Sequence, residues 1–395
     1  MNLAILIGCA ALAILASDSG RPRRQRRIVT TALFGLLLAA PFFTNTTSIL
    51  FDALTAMCIA YGWNIIGGYT GYAAFGNVAY LGLGAFVAAG FMSRQPGHLA
   101  WPWFVGIPLA VLIVALVAGA FGVVVLRLRG HYFSIATLGI SVAMPQIVNW
   151  DFFFGSEGWL PNFFGGGRPL NFPLAADLVL FGLSFDADRY FFYYLALAAA
   201  LIGWWLTVAV SRGKFGYGLV AIRENEEAAE SMGINTQRAK VLAYMLSAAL
   251  AALGGAVIGY RLTNMTTEAE ALFSTSNNLQ MIIICLIGGI GTVWGPWVGA
   301  FVLFAFRELL RVASSSDAVL QWQAAIFSLL IILIVLFLPR GILALVQSRA
   351  ASSRTLLFGG VRRHETPIPE QPTMGVLDPH DPSAVSGRGE PERLA

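Results

Sequence analysis

Residues 213–233 read GKFGYGLVAIRENEEAAESMG, a charged island in an otherwise oily chain, and the fold follows from what has to surround it. Arg223, Glu224, Glu226, Glu227 and Glu230 crowd together there, with Asn225, Ala228, Ala229 and Met232 between them. On a short helix the acidic and apolar sets fall largely on different faces. Across the whole chain 57% of residues are hydrophobic and only 12% charged, with a mean hydropathy of +0.70. A soluble domain carries roughly twice that charged fraction. The expected fold class is therefore an all-α polytopic integral membrane protein, and the island is where it meets the cytosol.

Outward from the island, charge placement sets the topology. The chain opens with an apolar run, Asn2–Ala16, followed by RPRRQRR at 21–27. A cleaved signal carries its charge before the apolar run, so this order reads as a retained first helix with its N-terminus outside. Further apolar runs at Ile28–Phe43, Ser48–Ile66, a stretch ending near Met92, Trp103–Leu126, Tyr132–Val148, Tyr190–Val210 and Val241–Tyr260 each predict a helix. Leu279–Leu310 is too long for one crossing and is interrupted by GGIGTVWGPWVG, so it is expected to split near Gly295; a last helix is expected at Trp322–Leu338. About eleven crossings result, eight at the fewest, because several runs fall short of the usual ~20 residues. Most of the 25 Lys and Arg residues then fall on cytoplasmic segments, as the positive-inside bias requires. The basic pI of about 9.1 thus reports topology, not nucleic acid.

The expected organisation is an N-terminal helix and basic loop at 1–27, a transmembrane domain at 28–346, and a disordered cytoplasmic extension at 347–395, rich in Pro, Ser, Arg and Glu. Residues 149–189 form an outer, net acidic loop, and 212–240 the main cytoplasmic loop. The stretch GGYTGYAAFGNVAYLGLGAF at 67–86 is dense in glycine, which permits broken helices, re-entrant turns and close packing. Its glycine break near Gly71 and that near Gly291 both precede a Gly-Ala-Phe, at 84–86 and 299–301, a trace of an internal parallel repeat.

The chain carries no phosphate loop, no HExxH and no GxSxG, and its four histidines are scattered. No catalytic residues, metal ligands or cofactors are therefore assigned. Cys9, Cys58 and Cys285 lie in apolar runs without ligand spacing and are expected to pack. No run of membrane-embedded carboxylates supplies the coupling-ion site that a secondary transporter needs. Asp52 and Glu308 sit near helix ends and are expected to be structurally paired. A polytopic chain without its own energy source needs an external motor. A short surface helix can drop its apolar face into a cleft on such a partner while its acidic rim pairs with basic groups there.

In the island, Glu227-Ala228-Ala229 is followed by Gly233 at the EAAxxxG spacing of ABC importer permeases. Together with 67–86, LRLRGHYFSIATLGIS at 126–141, GSEG at 155–158, GLVAIRENEEAAESMGIN at 218–235 and GGIGTVWGPWVGA at 288–300, the chain resembles LivM-like permease subunits of ABC-type branched-chain amino acid importers over roughly 48–345. That family also contains permeases for urea, short amides and other small solutes. Where its first glycine-rich motif commonly reads Gln and His, this chain has Tyr72 and Asn77.

The resemblance implies a multi-pass inner-membrane subunit working by alternating access. Its partners would be a second, LivH-like permease, two ATPase subunits that hydrolyse the ATP, an external solute-binding protein, and membrane lipid. It implies ATPase coupling through Arg223, Glu224, Asn225, Glu226, Glu227, Ala228, Ala229 and Gly233. Asp151 and Glu157 become candidates for binding-protein docking, and Asn64, Thr70, Gly71, Asn77, Gly289, Gly291 and Thr292 for the substrate pathway.

Overall fold

The computed structural model describes residues 2–17, 22–43, 47–93, 101–148, 178–180, 183–185, 190–262, 272–313 and 341–344. The expected last helix at 322–338, the tail at 347–395 and most of the outer loop lie outside these residues. Ten of the expected apolar segments are helical. They are α1 (Asn2–Ser17), α2 (Arg23–Phe43), α3 (Ser48–Trp63), α4 (Asn77–Met92), α5 (Trp103–Val125), α6 (His131–Val148), α7 (Phe192–Arg212), α10 (Thr236–Arg261), α11 (Thr275–Gly288) and α12 (Gly295–Ala313). Between α7 and α10 stand two short helices, α8 (Lys214–Glu224) and α9 (Glu226–Ser231). A small antiparallel hairpin, β1 (Leu178–Leu180) with β2 (Leu183–Phe185), lies in the outer loop.

Six helices among the described residues are long and apolar enough to cross a membrane, while α1, α4 and α11 are shorter. Of these, α4 belongs to the interior. Every residue of α4 is buried, held by α10, α5 and α6. Its lack of an amphipathic stripe fits that position, since a helix surrounded by protein has no polar face to present. Small residues make the approach close: a methyl group on Gly255 of α10 would collide with the backbone of Leu81 in α4, and one on Gly84 with Ala252. Without a hydrophobic drive between helices in lipid, such backbone-to-backbone packing is the main source of their association.

The glycine-rich stretch is broken, as its composition predicts. After Trp63 the helix widens into a π-helical turn, Asn64–Tyr69, and residues 70–76 are irregular before α4 begins. Backbone that leaves a helix inside a membrane must find partners elsewhere. Here side chains supply them. Trp63 Nε1 donates to Ala74 O (2.8 Å), Ser134 Oγ to Ala73 O (2.8 Å) and Asn278 Nδ2 to Phe75 O, while Phe75 N–H donates to Thr137 Oγ1 (3.1 Å).

Two helices begin five residues earlier than expected. Helix α2 starts at Arg23 instead of Ile28, because arginine is a good helix former whose long stem lets a first turn begin in the interface. Helix α10 starts at Thr236, not Val241, with Asn235 Oδ1 accepting from Arg238 N–H as its N-cap (3.0 Å). That earlier start carries Lys240 into the folded interior.

Candidate coupling site and transport pathway

The charged island folds as two helices hinged at one residue. Asn225 is extended (φ −160°), which ends α8, and its side chain accepts from Ala228 N–H at 3.0 Å to cap α9. At the other end Gly233 takes φ +85°, its N–H donates to Glu230 O and that of Ile234 to Ala229 O. This is a glycine C-cap, and it explains the EAAxxxG spacing: one short helix with a stop that a side chain would strain. Ala229 is turned inward, whereas Ala228, Glu227, Glu230 and Met232, 84% exposed, form a protruding knob.

Three ties hold this knob to the membrane body. Glu226 pairs with Lys240 at 2.6 Å, and their side chains are only 16% and 3% exposed. Tyr72 O–H donates to the other Glu226 oxygen (2.5 Å), and Lys240 also donates to Tyr72 Oη (3.2 Å) and Leu126 O (3.3 Å). Burial alone would raise the Glu226 carboxyl, but hydrogen bonds from Lys240 and Tyr72, with the charges of Lys240 and Arg129, hold it below the usual carboxylate value. The outer tie, Glu227 to Arg129 at 3.3 Å, joins side chains 81% and 60% exposed and contributes little. Tyr72, where this chain departs from the family's usual residue, thus touches the coupling segment. Among the described residues Glu224 pairs only with its neighbour Arg223 (2.9 Å).

Arg223 makes the third tie, and it lands where the two glycine breaks meet. Its Nη1 donates to Gly68 O (3.0 Å), and a methyl group on Gly71 would come within 2.7 Å of its Cγ. Beneath it Asn64 clamps the second break, donating to Thr292 O (3.0 Å) and accepting from Gly291 N–H (2.8 Å). Gly291 holds φ +72° with its Cα against Gly68, and Thr292 Oγ1 donates to Gly289 O (2.8 Å). Thr70 donates to Ile66 O. The two breaks noted in the sequence are therefore packed on each other beneath Arg223 of the charged island. Asn64, Thr70 and Asn77 are buried, and together with Gly71, Gly289, Gly291 and Thr292 they sit in or just above this closed cytoplasmic end.

Asn77 stands deeper, donating to Ser247 Oγ (2.8 Å). Ser247 lies about 16 Å along α10 at 1.5 Å per residue, so α4 begins near mid-membrane. Just outside that level opens a cavity of about 480 Å³. Its wall is Ile59, Leu81, Ile258 and Met281, and its polar groups are Asp52, Thr55, Asn277, Gln280 and Arg307. A second cavity of about 390 Å³, nearer the outer end, shares Asp52 and Arg307. The expected pairings of Asp52 and Glu308 are present. Asp52 is 3.9 Å from Arg261, and Glu308 receives two hydrogen bonds from Arg311, both at 2.7 Å. Arg307, by contrast, has no ion pair among the described residues; its guanidinium lies over Phe304 at 5.4 Å. The sequence reading did not single out Arg307 as a pathway group, because it stands beside a carboxylate that another arginine takes. Asp151 and Glu157 lie outside the described residues.

Residues 45–336 match the family model described as the permease component of branched-chain amino acid transport systems. The chain belongs to that family. The permease is 27% identical to the high-affinity branched-chain amino acid transport permease LivM of Escherichia coli K12, over 85% of this chain and 78% of that one. It is 26% identical to LivM of Salmonella typhimurium LT2, over the same shares. Over 51% of this chain and 54% of the relative, the permease is also 27% identical to the autoinducer 2 import permease LsrC of Salmonella typhimurium. No solved structure matches it. Family membership makes it a multi-pass inner-membrane permease subunit of an ABC importer, a class whose energy comes from partner subunits.

Proposed function

We propose that this permease imports branched-chain amino acids or closely similar small zwitterions. The outward cavity supports that reading. A zwitterion with an aliphatic side chain needs a carboxylate for its ammonium, a guanidinium for its carboxylate and an apolar wall for the rest. Asp52, Arg307 and the Ile59–Leu81–Met281 wall offer all three around one space. The likeness to autoinducer 2 and fructose import permeases over about half the chain favours a second reading, transport of a neutral polyol-like solute. Neutral solutes, urea and short amides included, can accept a hydrogen bond from the guanidinium but bring no charge to match it. In proteoliposomes bearing the complete importer, leucine uptake is expected to fall roughly tenfold to a hundredfold in Arg307→Gln and Asp52→Asn, the worth of a charge-assisted hydrogen bond. Uptake of a sugar instead of leucine by the unaltered importer would overturn the amino acid reading.

The same proposal gives the other assigned residues their tasks. Two ATPase subunits would dock on the knob of Glu227, Ala228, Glu230 and Met232, with Glu224 at its edge. Their motion would reach the membrane through Arg223 and Glu226, with Asn225 and Gly233 as the ends of the moving helix. Asn64, Gly71, Gly289, Gly291 and Thr292, with Thr70 and Asn77, would be the floor of the pathway that opens when Arg223 is drawn away. A second, homologous permease would complete the pathway, and an external binding protein would dock on the acidic outer loop, at Asp151 and Glu157. The docking role is open to a clean measurement, because Cys9, Cys58 and Cys285 are all buried. A cysteine placed at Glu227 is then the reactive thiol. A short bifunctional reagent is expected to join it to an ATPase subunit in the assembled importer; capture of no ATPase refutes the coupling role.

A further inference from the structure

We infer that the permease holds the phosphate headgroup of an anionic inner-leaflet phospholipid in a basic recess between α2 and α7. The recess encloses about 720 Å³ at the cytoplasmic end, and Arg26, Arg27 and Arg212 stand around it with Trp204 and Trp294. No carboxylate lines it among the described residues. The guanidinium groups of Arg27 and Arg212 have no hydrogen bond or ion pair among those residues, and that of Arg26 donates only its Nε to Ala16 O, at 3.3 Å. Three cations gathered without an anion repel one another, and a negative group between them relieves that repulsion. The planar guanidinium fork matches phosphate oxygens, two at a time.

The surroundings select a lipid over other sources of phosphate. Trp294 belongs to the turn that follows the Gly291 break, which places the recess at the level of the coupling helices. Below the arginines an aromatic floor continues, Phe34 against Trp204 at 5.5 Å and Trp204 against Trp294 at 5.8 Å. Tryptophan and arginine together mark the membrane interface. Helix α2 is the least covered of the six long apolar helices, and Ile28 and Leu38 on it are exposed. Acyl chains can therefore lie along α2 while the headgroup enters the recess. Basic pockets between membrane helices on the cytoplasmic side take anionic lipid in this way. The site is separate from the outward cavity and does not depend on which solute is transported.

The test is native mass spectrometry of the complete importer released from nanodiscs of phosphatidylcholine with added phosphatidylglycerol. The unaltered complex is expected to retain phosphatidylglycerol preferentially. Each of Arg26→Gln, Arg27→Gln and Arg212→Gln is expected to weaken retention about fivefold, and the triple variant on the order of a hundredfold. The triple lysine variant keeps the charge and should retain most of the preference. Single variants at the exposed Arg27 and Arg212 carry the test if the triple variant does not fold. Unchanged retention in the glutamine variants overturns the proposal. So does displacement of the lipid by inorganic phosphate at equal concentration, which would make the site one for the free ion. Loss of ATPase subunits with lipid retention intact would make it a protein contact instead.

Discussion

Replacing Glu226 by alanine is expected to destabilise the permease by about 3–5 kcal/mol, because it leaves the Lys240 ammonium, 3% exposed, without its counter-charge. Thermal unfolding of the detergent-purified complex reads this directly. Removing both charges is different. Two apolar side chains of similar volume fill a buried pair's space at little cost, so Glu226→Leu with Lys240→Met is expected to recover most of the lost stability. Transport should stay low in that double variant, since the tie between α9 and α10 is gone. Full transport with the pair removed would show that the tie carries no motion. The same pair sets an acid limit. A carboxyl held below its unfolded value contributes stability that is complete above the unfolded pKa and is lost as pH falls through the folded one. The permease is therefore expected to lose the α9–α10 tie at pH values below the ordinary carboxylate range, and the Glu226→Leu, Lys240→Met variant to lose that step.

A valine at Gly255 is expected to cost about 3 kcal/mol or more, and to abolish a monodisperse peak in size-exclusion chromatography. Overpacking a tight core typically costs 1–3 kcal/mol when side chains can shift. Here the obstacle is the Leu81 carbonyl, which belongs to the backbone of a fully buried helix and has nowhere to go. A valine at Gly35 provides the control: a Cβ there meets nothing within 4 Å, so stability should be nearly unchanged. Equal stability at both positions would mean that α4 is not packed against α10 as described.

The all-α membrane class was legible in the sequence because it depends on composition. The broken stretch at 67–86 was legible because glycine density is local. Glu308 with Arg311 could be anticipated from their three-residue spacing. Partners that meet across the fold could not. Lys240 reads as the last basic residue of a cytoplasmic loop, and only the convergence of Tyr72, Leu126 and Glu226 shows that its charge is buried. Tyr72 reads as a pathway departure, since nothing in its neighbours announces a bond to a residue 154 positions away. Arg307 was hidden for the opposite reason, its nearest carboxylate in sequence being occupied by Arg311.

The closed floor between the Asn64 clamp and the start of α4 has one more consequence. Ser247, which holds Asn77 at the head of α4, stands about 16 Å along α10 from its first residue. A transmembrane voltage drops where the dielectric is low, so a net charge carried across the closed floor would do work in the membrane field. A zwitterion of the kind proposed as substrate has no net charge and would cross that field without net electrical work.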